Sequence, residues 1–436
     1  MKNYKALVPL ALIVCLLLSF YMLVDTRMGT ISEYNGYLTE ARSKAEQGIA
    51  VDALANYTKA LAVKNSLDVQ LEVGEFLVTM KDVSGAMDWG VRMTEAFPKS
   101  VEPYEFLLAR YYEAKDYNRC YALSETINKR GLSSPKITEI LNDIKYVFYY
   151  GEAYDDVKAY SQGYCAVQYE GKWGLATRTG KKSAATKFAS VGMFINGLAP
   201  VTTTDGEAYF IDSTGNKKMV AMVEGDVVDL QAPVGDAFAV FNGTTWAFYN
   251  TKNEKISSDY TSVTLPSEGV LAVENNGKWA VVNLQYEAIG GADYTSVVRD
   301  ERNIAYRNGA LFVNNNGVYT MINKDGAQIG SNTFLNAQLF LDQTYAAVET
   351  DKGWTFVNNK GEFVLNDVYY EEAHSFINGF AAVKKDGMWG YIDMEGNLVI
   401  DCQFVDAKDF NDAGCAFVKI EDIWQMIRLY SKNYEK

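Results

Sequence analysis

One position recurs eight times in the second half of the chain, at Trp173, Ala208, Trp246, Trp279, Tyr319, Trp354, Trp389 and Trp424, with spacings of 35, 38, 33, 40, 35, 35 and 35 residues. A period of this size means one supersecondary unit copied in tandem, each copy burying its apolar surface against its neighbours. Two further marks keep the same phase. Four residues on stand Asp212, Asn250, Asn283, Asn323, Asn358 and Asp393, and seven on stand Gly180, Gly215, Gly326, Gly361 and Gly396. An Asp or Asn that opens a four-residue turn hydrogen-bonds its own backbone, and a left-handed Gly closes a hairpin. These Asp and Asn residues are turn formers first. Calcium ligation is the alternative, and it asks for about six to eight oxygens where each of these positions offers at most one carboxylate.

A third mark precedes each hairpin, an aromatic with Val or Ala three residues later: Tyr154/Val157, Phe188/Val191, Tyr260/Val263, Tyr294/Val297, Phe334/Ala337, Tyr370/Ala373 and Phe404/Ala407. Only the third unit lacks it. A second aromatic follows at Tyr160, Phe194, Phe340, Phe376 and Phe410. Large flat side chains at these places are expected to fill the layer between neighbouring units. Short alternating runs separated by Gly and Asn make the units β sheets.

The segments Gly171-Lys-Trp-Gly174, the related Gly277-Lys-Trp-Ala280 and Met388-Trp-Gly-Tyr-Ile-Asp393 resemble the WG-repeat family, and the resemblance covers about 280 residues. It implies a largely bacterial β-repeat scaffold with no common chemistry. Eight such units predict an all-β domain over 147–436, a closed β-propeller-like ring, with an open β solenoid as the alternative. The eighth unit stops just after its Trp424 strand, so a ring needs a strand from elsewhere. Val147-Phe-Tyr-Tyr150 stands in the right register before Tyr154 to pair with Trp424–Leu429; its rival role is to extend the preceding helix.

Upstream, over 29–146, apolar positions recur at helical spacing. Ala53, Ala86 and Cys120 align at intervals of 33 and 34, followed four residues on by Tyr57, Gly90 and Ser124, and Phe97-Pro98 ends the second copy. Small residues where helices cross and a proline after the second helix suit an all-α stack of helical hairpins. The pattern resembles the tetratricopeptide repeat, although Gly90 and Ser124 replace a usual large residue and the family's tryptophan is absent. The resemblance implies a groove for peptides or partner proteins; a plain helical spacer is the alternative.

Residues 1–28 read as a transmembrane anchor. Ala6–Val24 is an uncharged stretch of 19 residues, long enough for a hydrocarbon core of roughly 30 Å. Lys2 and Lys5 precede it while Asp25 and Arg27 cancel after it, so the amino terminus is expected in the cytoplasm and the later domains outside a single-pass membrane anchor. A cleaved signal peptide or a lipoprotein at Cys15 are the alternatives.

Charge and motifs narrow the function. Residues 151–436 carry 24 Lys plus Arg against 37 Asp plus Glu, and an acidic surface repels phosphate, so no nucleic acid is expected. The one histidine, His374, lies beside Glu371 and Glu372 and is expected to be an exposed or partly packed polar residue. No nucleophile elbow, metalloprotease, Walker or dinucleotide motif occurs. Cys120, Cys165, Cys402 and Cys415 form no Cys-x-x-Cys pair and are read as small core hydrophobes. No catalytic, metal or cofactor residue and no cofactor is therefore assigned, and the ligand-binding surface is left open. The reading is a non-enzymatic, membrane-anchored extracytoplasmic scaffold whose partners are proteins or peptides. A cell-wall or glycan binder, with tyrosines stacked on sugar rings, is the alternative, and a glycoside-active enzyme using two carboxylates is the third.

Overall fold

The computed structural model describes residues 4–223, 225–289, 293–365 and 367–433. The chain divides into two compact units, the first ending at Lys145 and the second beginning at Tyr146.

The first unit is helical: α1 Tyr4–Glu46, α2 Ala50–Val63, α3 Leu67–Thr79, α4 Val83–Ala96, α5 Glu102–Glu113, α6 Tyr117–Lys129 and α7 Pro135–Asp143. Three equivalent turns join α1 to α2, α3 to α4 and α5 to α6. Each turns on a left-handed residue, Gly48, Lys81 or Lys115 (φ 73°, 60° and 56°). The next amide reaches back five residues, Ile49 to Lys44 O, Asp82 to Leu77 O and Asp116 to Tyr111 O, at 2.9–3.0 Å. This satisfies carbonyls that the preceding helix leaves free. Asp82 and Asp116 then cap α4 and α6 by accepting from Gly85 N and Arg119 N. Ala53, Ala86 and Cys120 are fully buried at the crossings. At Gly90 a Cβ would lie 2.9 Å from Leu107 Cδ1, so the large residue expected there has no room.

The membrane expectation is corrected here. Among the described residues no helix is long and apolar enough to cross a membrane. Instead of ending near Val24, α1 runs unbroken past Asp25, Arg27, Glu33 and Arg42, and its far end joins the helical core through Leu38 and Ala41. The single-pass localisation with a cytoplasmic amino terminus is overturned with it. Most side chains of Ala6–Val24 lie outside the described residues.

Among its described residues the second unit holds eight small antiparallel sheets, one per repeat. In sheet one the strands are Asp156–Val157, Tyr164–Tyr169, Lys172–Thr177 and Lys182–Phe188, in that spatial order. The recurring Trp position is the first or second residue of the third strand in every sheet. Its partner is the aromatic that precedes the next unit: Trp173 pairs with Phe188, Trp246 with Tyr260, Trp279 with Tyr294, Tyr319 with Phe334, Trp354 with Tyr370 and Trp389 with Phe404. The eighth, Trp424, pairs with Tyr154, the aromatic that precedes unit one. Phe148–Tyr154 is thus the outer strand of sheet eight, with Phe148 opposite Leu429, rather than a continuation of α7.

Eight separate apolar clusters fill the spaces between successive sheets, because both faces of these strands are apolar. Ala166 and Leu175 face Val201 and Ile211 of sheet two, while Cys165 and Val167 face Phe417 and Met426 of sheet eight. The second aromatics lie in these layers: Phe340 stacks on Phe312 at 5.9 Å and Tyr160 on Phe417 at 6.0 Å, while Phe376 meets Phe356 edge-on at 4.8 Å and Phe410 lies tilted against Phe380 at 4.5 Å. Where the aromatic mark is missing, Leu230 joins Phe210 and Phe238 between sheets two and three.

The turns follow the expected chemistry. Asp393 Oδ1 accepts from Glu395 N and Asn397 N, and Asn250, Asn283, Asn323 and Asn358 bond in the same way. Units three and four lack the turn glycine, and Asn253 and Tyr286 take the left-handed conformation in its place (φ 65° and 63°).

The glycine of Trp-Gly has its own cause. A Cβ on Gly390 would meet Ile400 O at 2.5 Å and Cys402 N at 2.7 Å, and one on Gly174 would meet Ala184 O at 2.6 Å. In these two sheets the outer strand is seven residues long and shifts register opposite the glycine, which presses its backbone inward. Among the described residues, sheets three to six have three strands and only isolated bridges beyond them, and Ala247, Ala280, Thr320 or Thr355 follows the aromatic there.

Candidate functional site

The longest spacing in the repeat, 40 residues between Trp279 and Tyr319, has a definite location. After the innermost strand the chain usually turns back within 158–163, 231–236, 264–269 or 374–379, but in unit five this loop runs 298–310. The added residues form a second turn of the same kind. Asp300 Oδ1 accepts from Arg302 N and Ile304 N at 3.0 Å, with Asn303 left-handed (φ 58°). The turn is tied to sheet four by Leu265 N to Asn303 O at 2.7 Å and Asn303 Nδ2 to Val263 O at 2.8 Å. Ile304 packs with Ile195, Ala232, Leu265 and Leu339, one apolar side chain from each of five units.

This loop is one wall of a depression of about 620 Å³, lined also by residues of units one, two, six, seven and eight, among them Tyr160, Gln338, His374, Lys408 and Asp409. Around the same face, neighbouring inner loops hold one another. Gln162 Oε1 accepts from Asn196 N, Asn196 Nδ2 donates to Pro233 O, and Glu268 Oε1 accepts from Asn308 N. Arg307 donates to Leu341 O, Asp342 accepts from Asn378 N, Asn378 Nδ2 donates to Phe410 O and Asn411 Nδ2 to Arg178 O. The last of these joins unit eight to unit one.

The carboxylates of the depression are each paired with a basic group. Asp300 Oδ2 binds Arg302 Nε at 2.7 Å, Glu301 binds Lys408, Asp412 lies 3.3 Å from Arg178, and His374 Nδ1 meets Asp409 Oδ1 at 2.9 Å. Glu301 Oε2 also accepts from Ala159 N at 2.9 Å, so this side chain reaches from unit five to units one and eight. Burial pulls the His374 pKa down, yet the Asp409 charge and hydrogen bond outweigh it and the net shift is upward. Nearby, burial lowers the Lys158 pKa and raises that of Asp229, outweighing their mutual attraction.

Other residues marked in the sequence lie elsewhere. Glu371 and Glu372 turn away from His374, Glu371 accepting from Gly387 N and Glu372 pairing with Lys384. Asp212 is held well below the carboxylate range by the Thr214 hydroxyl and the Asn216 amide, as a turn former. Among the described residues no group of three or more His, Cys, Asp or Glu side chains is placed to hold a metal ion. Cys120, Cys165 and Cys415 are buried free thiols, pushed up by burial to about 12, 12 and 11. The walls of the depression were not assigned from sequence; the signal was the spacing of 40, where every other unit keeps a short loop.

The model of the family described as WG containing repeat matches residues 153–173, 246–279, 354–389 and 389–424. The second half of this chain carries WG-containing repeats at these four places. Each matched segment of the WG-repeat region spans one step between successive aromatic positions or leads into one. No curated protein matches the chain. Solved structures similar to it include Hsv2p of Kluyveromyces lactis, with 13% identity over 56% of this chain and 93% of that one and a TM-score of 0.38. The β-propeller domain of Cps50 (Swd1) from Myceliophteria thermophila shares 9% over 64% and 99%, at 0.33. The WD40 domain of SCAP from fission yeast shares 8% over 65% and 99%, at 0.35.

Proposed function

We propose that residues 147–436 form a closed eight-unit propeller-like ring, that 29–146 are a helical repeat domain, and that the chain is a non-enzymatic scaffold binding proteins or peptides. The observation that carries this reading is the depression of about 620 Å³, where inner loops of six units meet and the lining carboxylates Asp300, Glu301, Asp409 and Asp412 are each committed to a basic partner. Such pairing suits recognition of polar groups on a partner; a general acid or base needs an available proton site. The pairing of Phe148–Tyr154 with Ile423–Leu429 and the apolar layer between sheets eight and one support closure.

The test places a photo-crosslinking amino acid in the full chain, in its own cells, at Gln162 or Asp412 beside the depression, and at Glu170 or Asp386 in the turns at the other end of the second strands. Crosslinks to one protein from the first pair and not the second are expected. Crosslinks confined to Glu170 and Asp386 would reject this face as the binding surface.

A further inference from the structure

The position two residues after the start of each innermost strand is equivalent in all eight units, since its amide donates to the second strand in every sheet. The residues there are Lys158, Gly192, Gln231, Thr264, Val298, Gln338, His374 and Lys408. Three successive units, seven, eight and one, therefore place a basic side chain there, and no other unit does. Each of the three lies against the Trp of its own unit, His374 on Trp389 with ring centres 4.9 Å apart, Lys408 over Trp424 at 5.3 Å and Lys158 over Trp173 at 5.0 Å. Aromatic faces hold cations in place without neutralising them.

Asp409 answers His374 from the next unit, whereas the carboxylate on Lys408 comes from the far side. Glu301 stands on the inserted loop of unit five, with one oxygen on Lys408 Nζ and the other accepting from Ala159 N. An ammonium and a backbone amide converging on two oxygens of one carboxylate is how an acidic group is bound by charge-assisted hydrogen bonds. The Lys408 side chain is only 20% exposed, whereas Glu301 remains 49% exposed, so the basic half is built into the fold and the acidic half is on its surface. The adjoining wall supplies Arg307, whose Nε is buried without a partner.

We propose that Glu301 fills, in cis, a carboxylate-binding site made by Lys408 and the Ala159 amide, and that an acidic peptide group of a partner competes with Glu301 for it. This rests on the binding face described above. A site occupied by its own chain binds an outside ligand more weakly by the fraction of time it is open, so removing Glu301 strengthens binding.

The experiment titrates the full chain with a fluorescein-labelled tetraglutamate peptide at low salt, followed by anisotropy, with tetraglutamine as control. Glu301→Ala is expected to bind tetraglutamate about tenfold more tightly than wild type, a latch closed roughly nine-tenths of the time. Glu170→Ala, which removes the same charge from an exposed turn, is expected to leave binding at the wild-type level. Lys408→Met, which keeps an apolar stem over Trp424, should abolish the gain when combined with Glu301→Ala. Equal binding by wild type and Glu301→Ala, or an equal gain from Glu170→Ala, overturns the proposal, and this comparison stands even where Lys408→Met fails to fold. Crosslinking reports the face and titration reports the latch, so each fails on its own readout.

Discussion

Tyr154→Ala tests whether the first strand of the repeat region is part of sheet eight in solution. Tyr154 is 4% exposed, lies opposite Trp424, meets Phe417 edge-on at 5.9 Å and donates its hydroxyl to Gly180 O at 2.7 Å. Truncation removes on the order of 150 Å² of buried ring, about 4 kcal/mol at ~25 cal/mol per Å². A compact unfolded chain reduces this by roughly 10–40%, and loss of the hydrogen bond returns about 1 kcal/mol. The expected cost is about 3–5 kcal/mol, the range for large aromatic truncations. Phe404, 1% exposed and opposite Trp389, is the internal standard, because it occupies the same place where the chain itself continues from sheet seven to sheet eight. The two variants should agree within about 1 kcal/mol. Urea unfolding by tryptophan fluorescence measures this directly, since every Trp except Trp89 lies in the repeat region. A loss below about 1 kcal/mol for Tyr154→Ala, beside a full loss for Phe404→Ala, would refute the closed arrangement and favour the open solenoid.

Gly390→Ala should lower stability by about 1–3 kcal/mol, since the new methyl meets backbone atoms of the bulged outer strand that have nowhere to move, whereas Ala280→Gly should cost less than about 1 kcal/mol; equal urea midpoints for the two would contradict the account of the Trp-Gly pair. Asp393→Ala should cost about 1–2 kcal/mol by removing the acceptor of two turn amides, while Asp393→Asn, the residue four other units use, should melt close to wild type. Because the folded pKa of His374 is raised, its pairing with Asp409 adds stability that is complete below the unfolded value of about 6.5 and is lost as pH rises through the folded value. The difference in urea midpoint between wild type and His374→Gln should therefore shrink from pH 5 to pH 8, and a constant or widening difference would exclude the pairing.

The β repeat was legible because three kinds of residue each answer a separate local demand: an aromatic to fill the layer between sheets, an Asx side chain to hold a turn, a glycine where φ is positive. The turns at Asn253 and Tyr286 were less so, since a left-handed conformation imposed by neighbours leaves no mark on residue type. The helical hairpins were readable from small residues at crossings, but the apolar run at the amino terminus misled. Composition counts the residues in a stretch and is blind to the helix continuing through Arg27 and Glu33 into a packed core at Leu38. The proposed binding face was half visible. The spacing of 40 located an insertion, yet which way it points depends on Asn303 and Leu265 joining across two units, a contact between residues that no local pattern relates.

The pairing of Phe148 with Leu429 also dictates when this region finishes folding. Each internal sheet closes a loop of about one repeat, but the eighth joins residues about 280 apart, and loop-closure entropy makes that step roughly 2 kcal/mol more costly than a neighbouring one. On a ribosome, the strand made first waits for the strand made last, with its edge unpaired through the synthesis of all eight units. Circularly permuted chains that begin between two middle units would carry both strands of that pair on one side of the cut, and would shift the waiting edge to a different sheet.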